Sequence, residues 1–191
     1  MQQMSKLIFR YLSRGTSMDE DAQAVCLYGI DIFLYTLIST MGLLLIGALV
    51  HRFFEAVIWI TLYYLNQTFG GGYHATSPLK CFITMVIFLA TCLLLLTVAI
   101  PLYLQILLLI VSSMLLFLFP LRLHENKRYL AKHSRFFVIR YRCILLLEFC
   151  IAIFLLLALP GQYAEMCMLG VATSAISRIV GILQDKMHHI T

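Results

Sequence analysis

The sequence predicts an all-α fold: a polytopic membrane helical bundle of about six spans, preceded by an amphipathic helix lying in the membrane interface. Three observations lead there. Of 191 residues, 62% are hydrophobic and 12% charged, against about a quarter charged in ordinary soluble domains; mean hydropathy is +0.93. The apolar residues fall in long segments, several near the ~20 residues a helix needs to cross the hydrocarbon core. The basic residues cluster between those segments. The length suits one domain, 1–191, with no second unit of ordinary size. Lys6 and Arg10 interrupt the first twelve residues, so no secretory signal peptide is expected.

The elements follow in order. In "MSKLIFRYLSR", Met4, Leu7, Ile8, Tyr11 and Leu12 recur at helical spacing, with Lys6, Arg10, Ser13 and Arg14 mostly elsewhere. That is the pattern of a helix lying flat on a membrane. "GTSMDEDAQ" breaks the chain and restarts it. Ser17 and Glu20 are spaced as a capping box, and Asp19, Glu20 and Asp21 suit the positive end of a new helix. Residues 1–27 are thus assigned to cytoplasmic or interfacial N-terminal helices. The spans are Gly29–Val50, Phe53–Leu65, Leu79–Ile100, Leu102–Phe119, Ile144–Leu159 and Tyr163–Leu183. The second is short, and works if tilted, extended by Asn66–Phe69, or re-entrant.

Lysine and arginine counts set the orientation. Seven of the 14 lie between Arg122 and Arg142: Arg122, Lys127, Arg128, Lys132, Arg135, Arg140 and Arg142. Lys6, Arg10 and Arg14 mark the N-terminal stretch. Both regions are read as cytoplasmic, so residues 120–142 form a basic cytoplasmic connection and the span count is even. Both termini and the stretch 66–80 then face the cytoplasm. Asp31, Glu148 and Arg178 fall in or near apolar segments, where an ionised group costs several kcal/mol unless paired. A Glu148–Arg178 pair is one arrangement.

Cys26, Cys81, Cys92, Cys143, Cys150 and Cys167 form no CxxC pair and lie mostly in apolar runs, where cysteine is a small hydrophobe. Neither a metal site nor a disulfide framework is indicated. His188 and His189 are read as tail, and no cofactor or nucleic-acid partner is expected.

One stretch stands apart: "FGGGYHATSPLKC", residues 69–81. Ser77 fits an N-cap and Pro78 the first helical position, so Lys80 and Cys81 complete a first turn. The positive helix end and the neighbouring lysine both favour a thiolate. On one continuous helix His74 would be about 10.5 Å from Cys81, but in a loop it can fold back. Gly70, Gly71 and Gly72 supply the conformational freedom, and their N–H groups are candidate oxyanion donors. That permits a dyad with His74 as general base and Cys81 as nucleophile. The alternative is a tight turn, a polar loop histidine and a packed cysteine.

The pattern "GGGYHATSPLKC" resembles the signature of the accessory gene regulator B (AgrB) family, membrane cysteine endopeptidases of bacterial quorum sensing. That signature is G-G-x-H with a cysteine seven residues after the histidine. "FPLRLHENKRYLAKHSRFF", with Asn126 and Lys127, is similar to the family's basic cytoplasmic connection. Length, amphipathic start and span count agree with it too. The resemblance implies attack by Cys81, aided by His74, on the C-terminal tail junction of an autoinducing-peptide precursor, an AgrD-like propeptide. An acyl-enzyme thioester would form and be closed by the peptide's own cysteine to a thiolactone, or by serine to a lactone. It also implies a homodimer. Lys80, Arg122, Lys127, Arg128, Lys132 and Arg135 are candidate contacts for the acidic tail, and the basic stretch also suits anionic membrane lipids. Many members carry arginine near the position of Gln67; "LNQTFGGG" has none. Asn66, Gln67 and Ser77 are the candidate orienting polar groups. A non-enzymatic small transporter or sensor-complex scaffold is the rival reading, and would tolerate loss of a single thiol.

Overall fold

The computed structural model describes residues 2–13, 19–73, 75, 77–119, 135–159 and 161–188 (backbone only at 2, 12, 135, 136 and 185–188). Regular structure among these residues is entirely helical: α1 (Gln2–Leu12), α2 (Glu20–Leu49), α3 (Phe53–Gly70), α4 (Pro78–Leu95), α5 (Leu102–Leu118), α6 (Arg135–Ala158) and α7 (Gln162–His188). Four of these are long and apolar enough to cross a membrane: α2, α4, α6 from Phe137, and α7 as far as Gln184. The 17-residue α5 is apolar but shorter. The 18-residue α3 is diluted by Glu55, Asn66 and Gln67.

Local chemistry explains the helix ends. The restart after α1 is capped by Asp19, whose carboxylate accepts the Ala22 N–H at 2.9 Å. That corrects the Ser17–Glu20 box: Asp19 holds the cap position, and Ser17 lies outside the described residues. From Glu20 the helix continues unbroken into the first predicted span. Helix α3 runs past Leu65 to Gly70, the extended form of the short second segment. Helix α4 begins at Pro78 with Ser77 as N-cap, as the sequence pattern predicts. The connection is therefore 71–77, shorter than the stretch 66–80.

Helix α7 is the hub, packed against α3, α4, α5 and α6. Its run of small residues (Gly170, Ala172, Thr173, Ser174, Ala175, Ser177) lets neighbouring backbones approach, as membrane helix interfaces require. Trp59 of α3 is fully buried and donates from Nε1 to Thr173 Oγ1 at 3.0 Å. It also stacks on Tyr63 at 4.8 Å.

The outer surface is the reverse of a soluble protein's: Phe33, Leu45, Leu49, Phe54, Leu118 and Phe154 are all exposed. One end of the bundle gathers the features that bear on function. The Arg140 guanidinium stands 5.3 Å from the Phe69 ring near the end of α3, and that of Arg142 stands 4.9 Å from Phe117 near the end of α5. The basic start of α6 and the glycine turn after α3 therefore share that end.

Candidate active site

Cys81 lies in the first turn of α4. Ser77 closes this turn twice: its Oγ accepts the Lys80 N–H at 3.4 Å, and its carbonyl accepts the Cys81 N–H at 3.1 Å. Pro78 at the first position needs no partner for an amide hydrogen it lacks. The Cys81 side chain is half-buried against the core, and Lys80 is exposed. Helix α2 covers the cysteine with Tyr35, whose hydroxyl donates to the Pro78 carbonyl. That hydroxyl and the backbone amide of Ala75 are hydrogen-bonding neighbours of the Cys81 sulfur. Ala75 thus lies near the start of α4. His74 itself lies outside the described residues.

The three glycines do different work. Gly70 ends α3 with no room for a side chain: a Cβ there would fall 1.6 Å from Arg178 Nη2 and 2.5 Å from the Tyr141 ring and hydroxyl. Gly71 is the C-cap, with φ of 72° in the left-handed region that disfavours side chains. Its N–H donates to the Gln67 carbonyl at 3.1 Å, so in this conformation it is a helix cap and not a spare oxyanion donor. At Gly72 a Cβ would meet the Gln67 amide at 2.5 Å. The backbone amide that does reach the thiol is that of Ala75.

Two polar networks fasten this turn. In the first, Arg178 of α7, 1% exposed, donates from Nε to the Gly71 carbonyl at 3.4 Å and from Nη1 to the Leu116 carbonyl at 3.0 Å. Its Nη2 donates to the Tyr141 hydroxyl at 2.5 Å. The Tyr141 hydroxyl in turn donates to Asn66 Oδ1 at 3.0 Å, and Asn66 Nδ2 donates to Glu148 Oε2 at 2.8 Å. Glu148 and Arg178 are therefore not a direct pair. They are the ends of a four-member chain, because two side chains stand between them. In the second network, Ser177 Oγ accepts from the Tyr73 N–H at 3.1 Å and from Gln67 Nε2 at 2.6 Å. Gln67 Nε2 also reaches the Tyr63 hydroxyl at 2.8 Å.

Asn66, Gln67 and Ser77, the candidates for orienting the histidine, all have other partners among the described residues. Asn66 bonds to α6, Gln67 to Tyr63 and α7, and the Ser77 hydroxyl caps α4. An arginine does reach the glycine turn, but from α7. Of the basic candidates, Arg122, Lys127, Arg128 and Lys132 lie outside the described residues, as does the Arg135 side chain. Tyr35, Tyr141 and Ser177 were not singled out by the sequence. Tyr35 had a weak signal: Asp31, Tyr35 and Ser39 recur every four residues on one face of an otherwise apolar helix.

The accessory gene regulator B family model matches residues 5–179. The chain belongs to the accessory gene regulator B family. Within AgrB-like proteins, "Putative AgrB-like protein 1" of Clostridium perfringens (strain 13 / Type A) is 28% identical over 97 residues, 51% of this chain and 52% of that protein. The alignment thus spans about half the length of that relative. No solved structure matches the chain.

Proposed function

We propose that the protein is a membrane cysteine endopeptidase of quorum-sensing peptide maturation. It would remove the C-terminal tail of an AgrD-like propeptide and promote cyclisation of the remainder. The observation that carries this reading is the position of Cys81, half-buried in the first turn of α4 just after the glycine turn, in a chain of the accessory gene regulator B family.

In the proposed reaction His74 takes the Cys81 proton and the sulfur attacks the carbonyl at the tail junction. The Ala75 N–H is the proposed donor to the developing oxyanion, and the Tyr35 hydroxyl would join it by giving up its hydrogen bond to the Pro78 carbonyl. His74 then protonates the leaving amine, the tail departs, and a thioester remains on Cys81. A thiol of the bound peptide, or a hydroxyl in a lactone-forming substrate, loses its proton to His74 and attacks this thioester. Cys81 leaves as thiolate and recovers the proton, and the ring is closed. Thioester exchange is nearly balanced, so holding the two thiols close supplies most of its rate. Water must be kept out, and the half-buried setting of Cys81 among Tyr35, Tyr63 and Tyr64 suits that need.

The topology proposed is six spans with both termini and the glycine turn on the cytoplasmic side. Support comes from the basic start of α6 at the same end as the turn. Helix α1 would lie in the interface, since Met4, Leu7 and Tyr11 are exposed. Basic residues of 120–142 would meet the acidic tail and anionic lipid, and a homodimer is carried over from the resemblance alone.

The test is co-expression with a cognate propeptide, comparing wild type, Cys81→Ala and His74→Ala by mass spectrometry of the tail and ring products. Both variants should insert at normal levels and release no tail. Undiminished cleavage by Cys81→Ala would refute the mechanism.

A further inference from the structure

The glycine turn is held from outside itself, by two consecutive residues of α7. Ser177 is fully buried and accepts the Tyr73 N–H, while Arg178, 1% exposed, donates to the Gly71 carbonyl. Only Gly72 separates the two fastened residues. The same two side chains tie the turn to the rest of the bundle, Ser177 through Gln67 of α3 and Arg178 through Leu116 of α5 and Tyr141 of α6.

A buried arginine in a membrane span is costly, and among the described residues no carboxylate lies within ion-pair distance of this one. Holding α3 against α7 does not require it. One turn earlier, Trp59 and Thr173 join the same two helices with neutral groups. What the cation and the serine do that Thr173 does not is fix backbone atoms on both sides of Gly72, just before the residues that lead to Cys81.

We propose that Ser177 and Arg178 are positioning residues for the catalytic loop, fixing the path on which the chain leaves Gly71 and Tyr73 toward Cys81. This rests on the peptidase reading. A shift of about 1 Å in such a loop is worth on the order of a hundredfold in rate, so a small loosening of the turn is enough to be measured.

The experiment uses the full chain reconstituted in liposomes with a cognate propeptide, reading kcat and KM for tail release together with thermal stability. Ser177→Ala removes one oxygen and little volume; Arg178→Lys keeps the charge but lacks the planar, spread donors that reach Gly71, Leu116 and Tyr141 together. Both should lower kcat about ten- to a hundredfold and leave KM unchanged. Thr173→Val, which breaks a buried hydrogen bond between the same helices without touching the turn, should lower thermal stability and leave kcat unchanged. Wild-type kcat in Ser177→Ala, beside an inactive Cys81→Ala, overturns the positioning role alone. So does a loss that Thr173→Val reproduces in full. Cleavage that survives Cys81→Ala overturns the peptidase reading and this proposal with it.

Discussion

Gly70→Ala sets two effects of opposite sign against each other. Gly70 is the last residue of α3 and has no positive φ. On propensity alone alanine would stabilise the helix by up to about 1 kcal/mol. The new Cβ, however, would stand 1.6 Å from Arg178 Nη2 and 2.5 Å from Tyr141 Cζ and the hydroxyl. On an open surface the end of an arginine would swing aside at little cost. Here the side chain is 1% exposed, its three donors are bonded to Gly71, Leu116 and Tyr141, and the Tyr141 ring is itself buried. Hydrogen bonds to a charged group are worth about 1.5–3 kcal/mol each. Polar contacts in membrane proteins fall toward the low end of such ranges. Losing two of the three costs about 3–4 kcal/mol, so the variant should be destabilised by about 2–3 kcal/mol after the propensity gain. Unfolding in detergent with a titrated denaturing surfactant reads this directly. Gly29→Ala is the control, since nothing lies within 4 Å of its Cβ position; it should be neutral or slightly stabilising. Truncating the clashing side chain in Gly70→Ala/Arg178→Ala should make the double variant less destabilised than the sum of the singles. A Gly70→Ala protein as stable as wild type would refute the account of the first glycine.

Two further outcomes follow from the same geometry. Tyr141→Phe keeps the ring under the Arg178 guanidinium, 4.9 Å away, but removes an acceptor from Arg178 and a donor from Asn66. It should cost about 1–3 kcal/mol and show non-additive coupling with Glu148→Gln in a double-mutant cycle, though Asn66 stands between the two residues. Tyr35→Phe should lower tail-cleavage kcat about tenfold or more if its hydroxyl meets the oxyanion; an unchanged kcat would remove Tyr35 from the site.

What could be read from the sequence is what depends on neighbours along the chain. The start of α4 is fixed by Ser77 and Pro78, whose capping chemistry acts within one turn, and the structure begins the helix there. The other cap shows the limit of such reading: Ser17 and Asp19 compete within three residues, and Asp19 takes the position. The length of α3 was ambiguous because Asn66 and Gln67 interrupt the apolar pattern. Besides partners in their own helix, Leu62 and Tyr63, they bond to Glu148, Tyr141 and Ser177 from 75 to 110 residues away. The glycines were read as flexible donors. One of them uses its freedom, at Gly71, while Gly70 and Gly72 make room for side chains of Arg178 and Gln67. That requirement is invisible until distant helices are packed together.

The same non-locality explains why Arg178 needs no direct carboxylate. Its Nη1 bonds the carbonyl of Leu116, in the last turn of α5, and its Nε bonds the carbonyl of Gly71, the C-cap of α3. Both are among the carbonyls that a helix leaves unpaired at its C-terminal end, where the macrodipole concentrates partial negative charge. Two helix ends directed at one guanidinium together approach the charge of a carboxylate, distributed over acceptors that also want hydrogen-bond partners. Glu148 stands instead at the far end of the Tyr141–Asn66 chain and does not touch the cation. A guanidinium can face three directions at once in one plane, which an ammonium on a flexible stem does less well. Arg178 therefore joins the ends of α3 and α5 to α6 through the one side chain whose shape fits all three, and the turn before Cys81 is held as part of that joint.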